Sequence, residues 1–407
     1  MRNLLVLMTL AICLLFGCSQ NDNEVNYFTS DLDTLVIKSD KLKGHGLFRV
    51  GAGELWVMDS TECNSYEWWQ FPEVIPNNIT DIKFGVILVN LKPIRYYSPE
   101  GEELVQKDSA MGNNIISLIS GQMDGDTVVV VDQNHNWDLS DDSVRTINYF
   151  DMKGLTNLIQ CNYSVDIGSM EIPNSGWVQI GRSKWFGMVL QNTPQRMEAD
   201  LQIDELDFRI GVVDYNSYSF CFFRPQLALL SENGIARDTL MKRDLVELGE
   251  FVKLGDYYYK FHDFYSGDGT IILLKETDYQ SMIGIQVGLN APSFSFKSIH
   301  GDTVKSESFK DKKILITNMS WCTARSYDKY KEIVDECDGK LTIIGFGSSV
   351  REDLGGIMLD AEESFNDDMY SKYRNAYSSY SCYLIGEEGK IIDMFDIFEW
   401  ESHLSDY

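Results

Sequence analysis

The feature that most constrains this chain is a long stretch without helical periodicity. From about Asn26 to Leu289, apolar and β-branched runs recur: FGVILV at 84–89, TVVVV at 127–131, FRIGVV at 208–213 and TIILL at 270–274. Clusters of Gly, Asn and Asp bound each run, the pattern of antiparallel strands joined by turns. A sheet with one apolar face must bury it against another layer, so a pair of β-sandwich-like regions is the simplest architecture. At 287–294, VGLNAPSF, the texture changes. ILITNM at 314–319 reads as a buried strand. Tyr327, Tyr330, Ile333, Val334 and Cys337 then fall on one helical face, Gly339 is a helix stop, and LTIIGF at 341–346 is the next strand. Such a strand–helix–strand crossover is expected to be parallel and right-handed. YLI at 383–385 and KIID at 390–393 flank GEEG, which reads as a hairpin. The expectation is a multidomain chain: an N-terminal all-β region, split into 31–150 and 151–287, followed by a C-terminal α/β domain over 288–407. The length agrees, since 407 residues at roughly 150 per domain make two or three. VVDQN at 130–134 returns as VVDYN at 212–216, each after a strand and before a turn, which supports splitting the β region in two.

The charge narrows the partners. There are 35 Lys+Arg against 62 Asp+Glu, a net charge of −27. Nucleic-acid affinity rests on cationic contacts to phosphate, so no nucleic-acid partner is expected. Electrostatic docking onto anionic lipid is disfavoured for the same reason. Cations are permitted. In DQNHNWDLSDD at 132–142, Asp132, Asn134, Asn136 and Asp138 present oxygens at alternate positions, and Asp142 can close the shell. That set suits Ca²⁺, a hard ion wanting six to eight oxygens. It resembles the D-x-N-x-D loops of EF-hand-like sites, with Trp137 where those loops want Gly and Ser143 where they want a bidentate Glu. Without an ion the same residues make a polar β-turn. The sister loop has Tyr218 and Phe220 at the later ligand positions and is expected to bind no metal. No motif requires a cofactor: H-E-x-x-H, phosphate-loop and G-x-S-x-G patterns are absent.

The N-terminus reads as an export signal. Arg2 supplies the positive region, and the apolar run from Leu4 to Phe16 is too short to span a bilayer. LFGC at 15–18 resembles the lipobox of bacterial lipoproteins. The resemblance implies removal of 1–17, lipidation of Cys18 and a polar tether over 18–30. The protein would then sit in the bacterial cell envelope, facing the periplasm or the surface and held to the membrane by lipid. A plain cleaved signal, with Cys18 incidental, is the other reading.

Eight cysteines occur, with no CxxC pair and no zinc spacing. The C-terminal motifs bring one of them forward. Gly288-Leu289-Asn290-Ala291-Pro292-Ser293-Phe294 resembles the G-x-x-A-P-x-F opening of the TlpA-type thioredoxin-like envelope proteins. Lys312 to Asn318 matches their first core strand, Trp321-Cys322 sits where they carry W-C-x-x-C, and Tyr383 to Ile391 matches their late hairpin. The resemblance covers 288–406 and implies a thioredoxin-like fold and thiol–disulfide exchange with thiol- or disulfide-bearing envelope proteins. It casts Cys322 as the attacking thiolate. Both the helix N-terminus and Arg325 would lower its pKa. The chain departs from the family twice. Cys322-Thr323-Ala324-Arg325 puts arginine at the resolving position. No proline occurs from Ser293 to Tyr407, so the family's cis-proline position, near Tyr380, has none. Three readings of Cys322 stay open: a relic in a binding module, a one-cysteine redox site, or a partner of Cys382. The enzyme reading is a thiol–disulfide oxidoreductase acting through Cys322. The alternative is a non-catalytic binding or scaffold lipoprotein whose β regions recognise a partner.

Overall fold

In the computed structural model, the described residues are 27–29, 33–65, 71–107, 114–151, 156–184, 188–214, 218–319, 324–346, 352–359, 369, 372–373, 381–405 and 407. The chain is mostly β-sheet. Four antiparallel sheets pack in two pairs. The first pair sets strands 57–58, 80–88, 115–123, 126–131 and 145–146 against strands 53–54, 158–166, 171–182 and 189–192. Period-two patterning is plain in Leu158–Asp166, where Ile159, Cys161, Tyr163 and Val165 point inward and the residues between them outward. They meet Ile87, Ile116, Leu118, Val129 and Val131 in one core. Ile119, Val128 and Val130 face the other way, under Ile79 and Leu139. That second face explains why Ile115–Met123 is buried along nearly its whole length.

The second pair sets strands 27–29, 34–37, 270–276, 257–265 and 251–254 against strands 235–236, 225–232, 206–214, 195–203 and 40–43. Ile37, Phe261 and Leu273 meet Met197, Phe208, Ile210 and Leu227 between the layers. The boundaries expected at 31–150 and 151–287 do not follow this pairing. Thr34–Ile37 pairs with Thr270–Glu276, and Asp40–Lys43 pairs with Gln195–Ile203. The strands of 158–192 close the first core instead of opening the second. Alternation in sequence fixes which face of a strand is apolar; it carries no record of which distant strand lies opposite. The repeat does have a structural counterpart. Asp126–Val131 and Leu206–Asp214 are each the second strand of a hairpin, and each runs into a buried aspartate, Asp132 or Asp214.

The two pairs are joined by charged contacts. Arg95 grips the Asp263 carboxylate with both terminal nitrogens, and Lys41 Nζ donates to Asn174 Oδ1 and the Ser175 carbonyl, both at 2.9 Å. A connector then leads to the C-terminal sheet. Gln286 behaves as an extra strand residue there: its amide accepts from Phe251 N at 2.7 Å and donates to Phe251 O at 2.9 Å. A few residues on, Leu289 O accepts from Ile391 N at 2.9 Å.

The last sheet runs in the order 357–358, 342–346, 314–318, 382–385, 391–395. Ile314–Asn318 and Thr342–Phe346 are parallel, as expected, and the helix Ala324–Glu336 lies between them in sequence. Cys382–Ile385 and Ile391–Phe395 form the antiparallel hairpin that GEEG suggested. Tyr330, Ile333 and Cys337 are the buried face of the helix, and Gly339 takes the left-handed conformation (φ 75°) that ends it.

Candidate functional site

The residues flanking the WC pair define a frame at the carboxyl end of the central parallel strand. Trp321, Cys322 and Thr323 lie outside the described residues, as do Cys18 and Tyr380. On the strand side, Asn318 N donates to Ser381 O at 2.6 Å, and Met319 N donates to Phe346 O at 2.7 Å. On the helix side, Arg325 is exposed in the first turn, with its guanidinium carbon 5.5 Å from the centre of the Phe398 ring. A cation over an aromatic face is held by the ring quadrupole. Phe398 is presented by a short 3-10 turn that Asp396 caps, its Oδ1 accepting from Phe398 N at 3.0 Å. Ser381 ties this turn back to the strands: its Oγ accepts from Ile397 N at 2.7 Å, and its own N donates to Phe395 O at 3.2 Å. Ser381 and Phe398 carried no motif in the sequence. A polar residue next to the expected cis-proline position, and an aromatic after a capping Asp, were their only signals.

Cys382 is fully buried under the helix, in a cluster with Leu315, Met319 and Tyr330. Its sulfur lies 3.7 Å from Thr317 Oγ1 across the strand pair. Burial, with a smaller push from Cys382, raises the Tyr330 hydroxyl well above its ordinary value. Cys63, Cys161, Cys221 and Cys337 are also buried and carry free thiols. Burial raises the pKa of each of these thiols, so none is a ready thiolate.

The Asp132 loop is brought together, and it is held by its own hydrogen bonds. Asp132 is fully buried; one carboxylate oxygen accepts from Asn136 N and the other from Trp137 N, both at 3.0 Å. Asn136 Oδ1 accepts from Asp138 N at 2.8 Å, and Asp138 Oδ1 accepts from Ser140 N at 2.9 Å. Asp142 Oδ1 accepts from Gln133 N and Nε2, both at 3.1 Å. The side-chain amides of Asn134 and Asn136 both donate to Asp141 at 3.1 Å, so Asp141, absent from the expected ligand set, gathers the loop. His135 and Trp137 take positive φ values, 58° and 64°. Trp137 therefore adopts at the sixth position a backbone that usually calls for glycine. Burial holds the Asp142 carboxyl above its ordinary value, and the nearby charges of Asp132 and Asp141 add to the push. Among the described residues, no three His, Cys, Asp or Glu side chains group as metal ligands.

No helix among the described residues is long and apolar enough to cross a membrane. No family model matches the chain, and no curated protein matches it. Solved structures do. The thioredoxin domain of a thiol-disulfide oxidoreductase from Bacteroides vulgatus is 17% identical, with 30% of this chain and 96% of that one covered and a TM-score of 0.24. A thiol:disulfide interchange protein from Bacteroides sp. is 16% identical, covers 30% of this chain and 89% of its own, and has a TM-score of 0.26. For a thioredoxin-like protein from Bacteroides caccae the figures are 14% identity, 30% and 50% coverage, and a TM-score of 0.25. What this chain shares with these thioredoxin-like proteins is a part of its length, at low identity.

Proposed function

We propose that the C-terminal region is a one-cysteine thiol–disulfide exchange module carried by an envelope lipoprotein anchored through Cys18. The observation that carries the reading is local. The helix Ala324–Glu336 begins two positions after Cys322 in the chain, and it follows the carboxyl end of the central strand. A thiol at such a helix start is stabilised as thiolate by the unpaired backbone N–H groups and the dipole, and Arg325 adds a positive charge one turn on. In the reaction, the Cys322 thiolate attacks one sulfur of a substrate disulfide. A mixed disulfide forms and the other sulfur leaves as thiolate. Because position 325 is arginine, a second thiol must come from outside, from a small thiol or from the partner. It attacks the substrate sulfur, and Cys322 leaves as thiolate; or it attacks the Cys322 sulfur, the substrate leaves as thiolate, and a second such thiol then releases Cys322. Cys382 is fully buried in a cluster with Tyr330 and is not the expected resolving thiol. The substrates are disulfide-bearing proteins of the cell envelope.

The test is to titrate the reduced full chain with oxidised glutathione and follow the protein mass. The expected result is one glutathione adduct that Cys322→Ala abolishes. Absence of an adduct in the folded chain favours the alternative, a binding lipoprotein whose β regions recognise a partner.

A second reading concerns the Asp132 loop as a Ca²⁺ site. One observation favours it: Asp142 Oδ2 is buried without a hydrogen-bond partner, next to the carboxylates of Asp132 and Asp141. A divalent ion would relieve that crowding. Calcium should then raise the thermal midpoint of the chain, and Asp138→Ala should remove the effect. A midpoint indifferent to calcium and chelator leaves a hydrogen-bonded turn.

A further inference from the structure

Arg325 stands in the first turn of the helix Ala324–Glu336, with its side chain exposed. It follows Cys322 by three residues, so the two Cα atoms are at most about 11 Å apart whatever path the chain takes between them. The guanidinium is held over the Phe398 ring, its carbon 5.5 Å from the ring centre. Phe398 is itself 47% exposed, so cation and ring face solvent together. Asp396 caps the turn that carries the ring, and Ser381 ties that turn to the sheet. A ring supplies no acceptor oxygen, so the guanidinium's N–H donors remain for a ligand. Among the described residues no carboxylate pairs with Arg325. The next cation along the helix, Lys329, is by contrast paired with Glu332 and Glu401.

The chain as a whole, with its net charge of −27, draws in cations and repels anions at long range. An unpaired guanidinium reverses that preference over about a Debye length, roughly 10 Å at 0.1 M salt. Its planar fork matches a carboxylate with two parallel hydrogen bonds, and a fork already held by a ring loses less freedom on binding. A disulfide with a carboxylate several bonds from its sulfur spans a separation of the size that divides Arg325 from Cys322.

We propose that Arg325, positioned by Phe398, selects disulfides that carry a carboxylate beside the exchanging sulfur, a role that rests on thiol–disulfide exchange at Cys322. The carboxylate docks on the guanidinium. The Cys322 thiolate then bonds to the near substrate sulfur, and the far sulfur leaves as thiolate. Phe398 acts through Arg325 and is a positioning residue. The test uses the reduced full chain and three small disulfides: dianionic dithiodipropionate, neutral hydroxyethyl disulfide and dicationic cystamine. The rate of adduct formation at Cys322 is read by protein mass at low ionic strength. Each wild-type rate is divided by the rate in Arg325→Gln, which cancels the disulfide's intrinsic reactivity. A change in the nucleophilicity of Cys322, or a loosened fold, moves all three ratios together. The ratio should be about tenfold larger for dithiodipropionate than for hydroxyethyl disulfide, and smallest for cystamine. Phe398→Leu, apolar but without the ring quadrupole, should cut the preference for the dianion about threefold, and Phe398→Tyr should keep it. Equal ratios for the three disulfides would overturn the proposal, since Arg325 would then act on the thiol alone. A preference that Phe398→Leu leaves unchanged would overturn it as well. A folded chain that forms no adduct with any of the three removes exchange at Cys322 itself, and the selection with it.

Discussion

His45 is 2% exposed, and its Nε2 lies 3.1 Å from Asn192 Nδ2, where the chain crosses between the two sheet pairs. Its Nδ1 has no hydrogen-bond partner. Burial, and then the charge of Arg196, lowers its pKa to about 4. The unfolded chain takes up a proton near pH 6.5, and the folded chain resists until about pH 4. The stability His45 contributes is therefore full above 6.5 and lost as pH falls toward 4, by on the order of 3 kcal/mol in total. Glu250 works in the opposite sense, since burial raises its carboxyl to about 7, with a smaller push from Glu247. Its share is full below about 4.5 and lost as pH rises through 7. In the wild-type profile these two add to the other shifted groups, Asp142 among them. His45→Gln should remove the acid-side loss specifically, which urea midpoints at pH 7.5 and pH 5 will show; an unchanged acid-side slope would contradict the assignment. None of this was legible in the sequence. A lone histidine in HGLF gives no sign of burial, and only the crossover of distant strands encloses it.

At the scale of elements, two features depend on close approach. A Cβ on Gly345 would lie 2.7 Å from the Tyr330 hydroxyl and 2.8 Å from the Met358 sulfur. The strand Thr342–Phe346, beside the central one, thus has no side chain where Tyr330 of the helix packs on it. Gly345→Ala should cost roughly 1–3 kcal/mol through overpacking, read as a lower urea midpoint with unchanged far-ultraviolet dichroism. Asp132 is the keystone of its loop, accepting from two backbone N–H groups. Asp132→Ala should cost roughly 1–3 kcal/mol, and amide exchange at Asn136 and Trp137 should accelerate. The sequence foretold the helix face, the hairpin and the loop because each rests on nearby residues. Tyr330, Ile333 and Cys337 sit one or two turns apart, and Asp132 reaches only to Trp137.

Across the whole molecule, long-range pairing decides what local pattern leaves open. The runs at 84–89 and 208–213 were recognisable as strands, yet nothing in 34–43 announced that it would pair with 195–203 and 270–276. The change of texture at 287–294 was visible because the periodicity itself switches there. What the sequence did not contain was the joint: Gln286 completing the edge of Phe251–Leu254 while Leu289 meets Ile391. Gln286→Ala should free this connector. Limited proteolysis between 277 and 291 should speed up several-fold while the unfolding midpoints of the flanking sheets stay close to wild type. Equal cleavage rates would show that the connector is held by other contacts.

Cys322, two positions before the helix Ala324–Glu336 in the chain, is proposed to be a poised thiolate. Its most direct test is the rate of alkylation at Cys322 as a function of pH, followed by peptide mass mapping in the folded full chain. The account predicts a midpoint below about pH 7.5, against an ordinary thiol near 8.5, and an upward shift in Arg325→Ala. A midpoint at or above 8.5, or a Cys322 that resists alkylation until the chain unfolds, would contradict it.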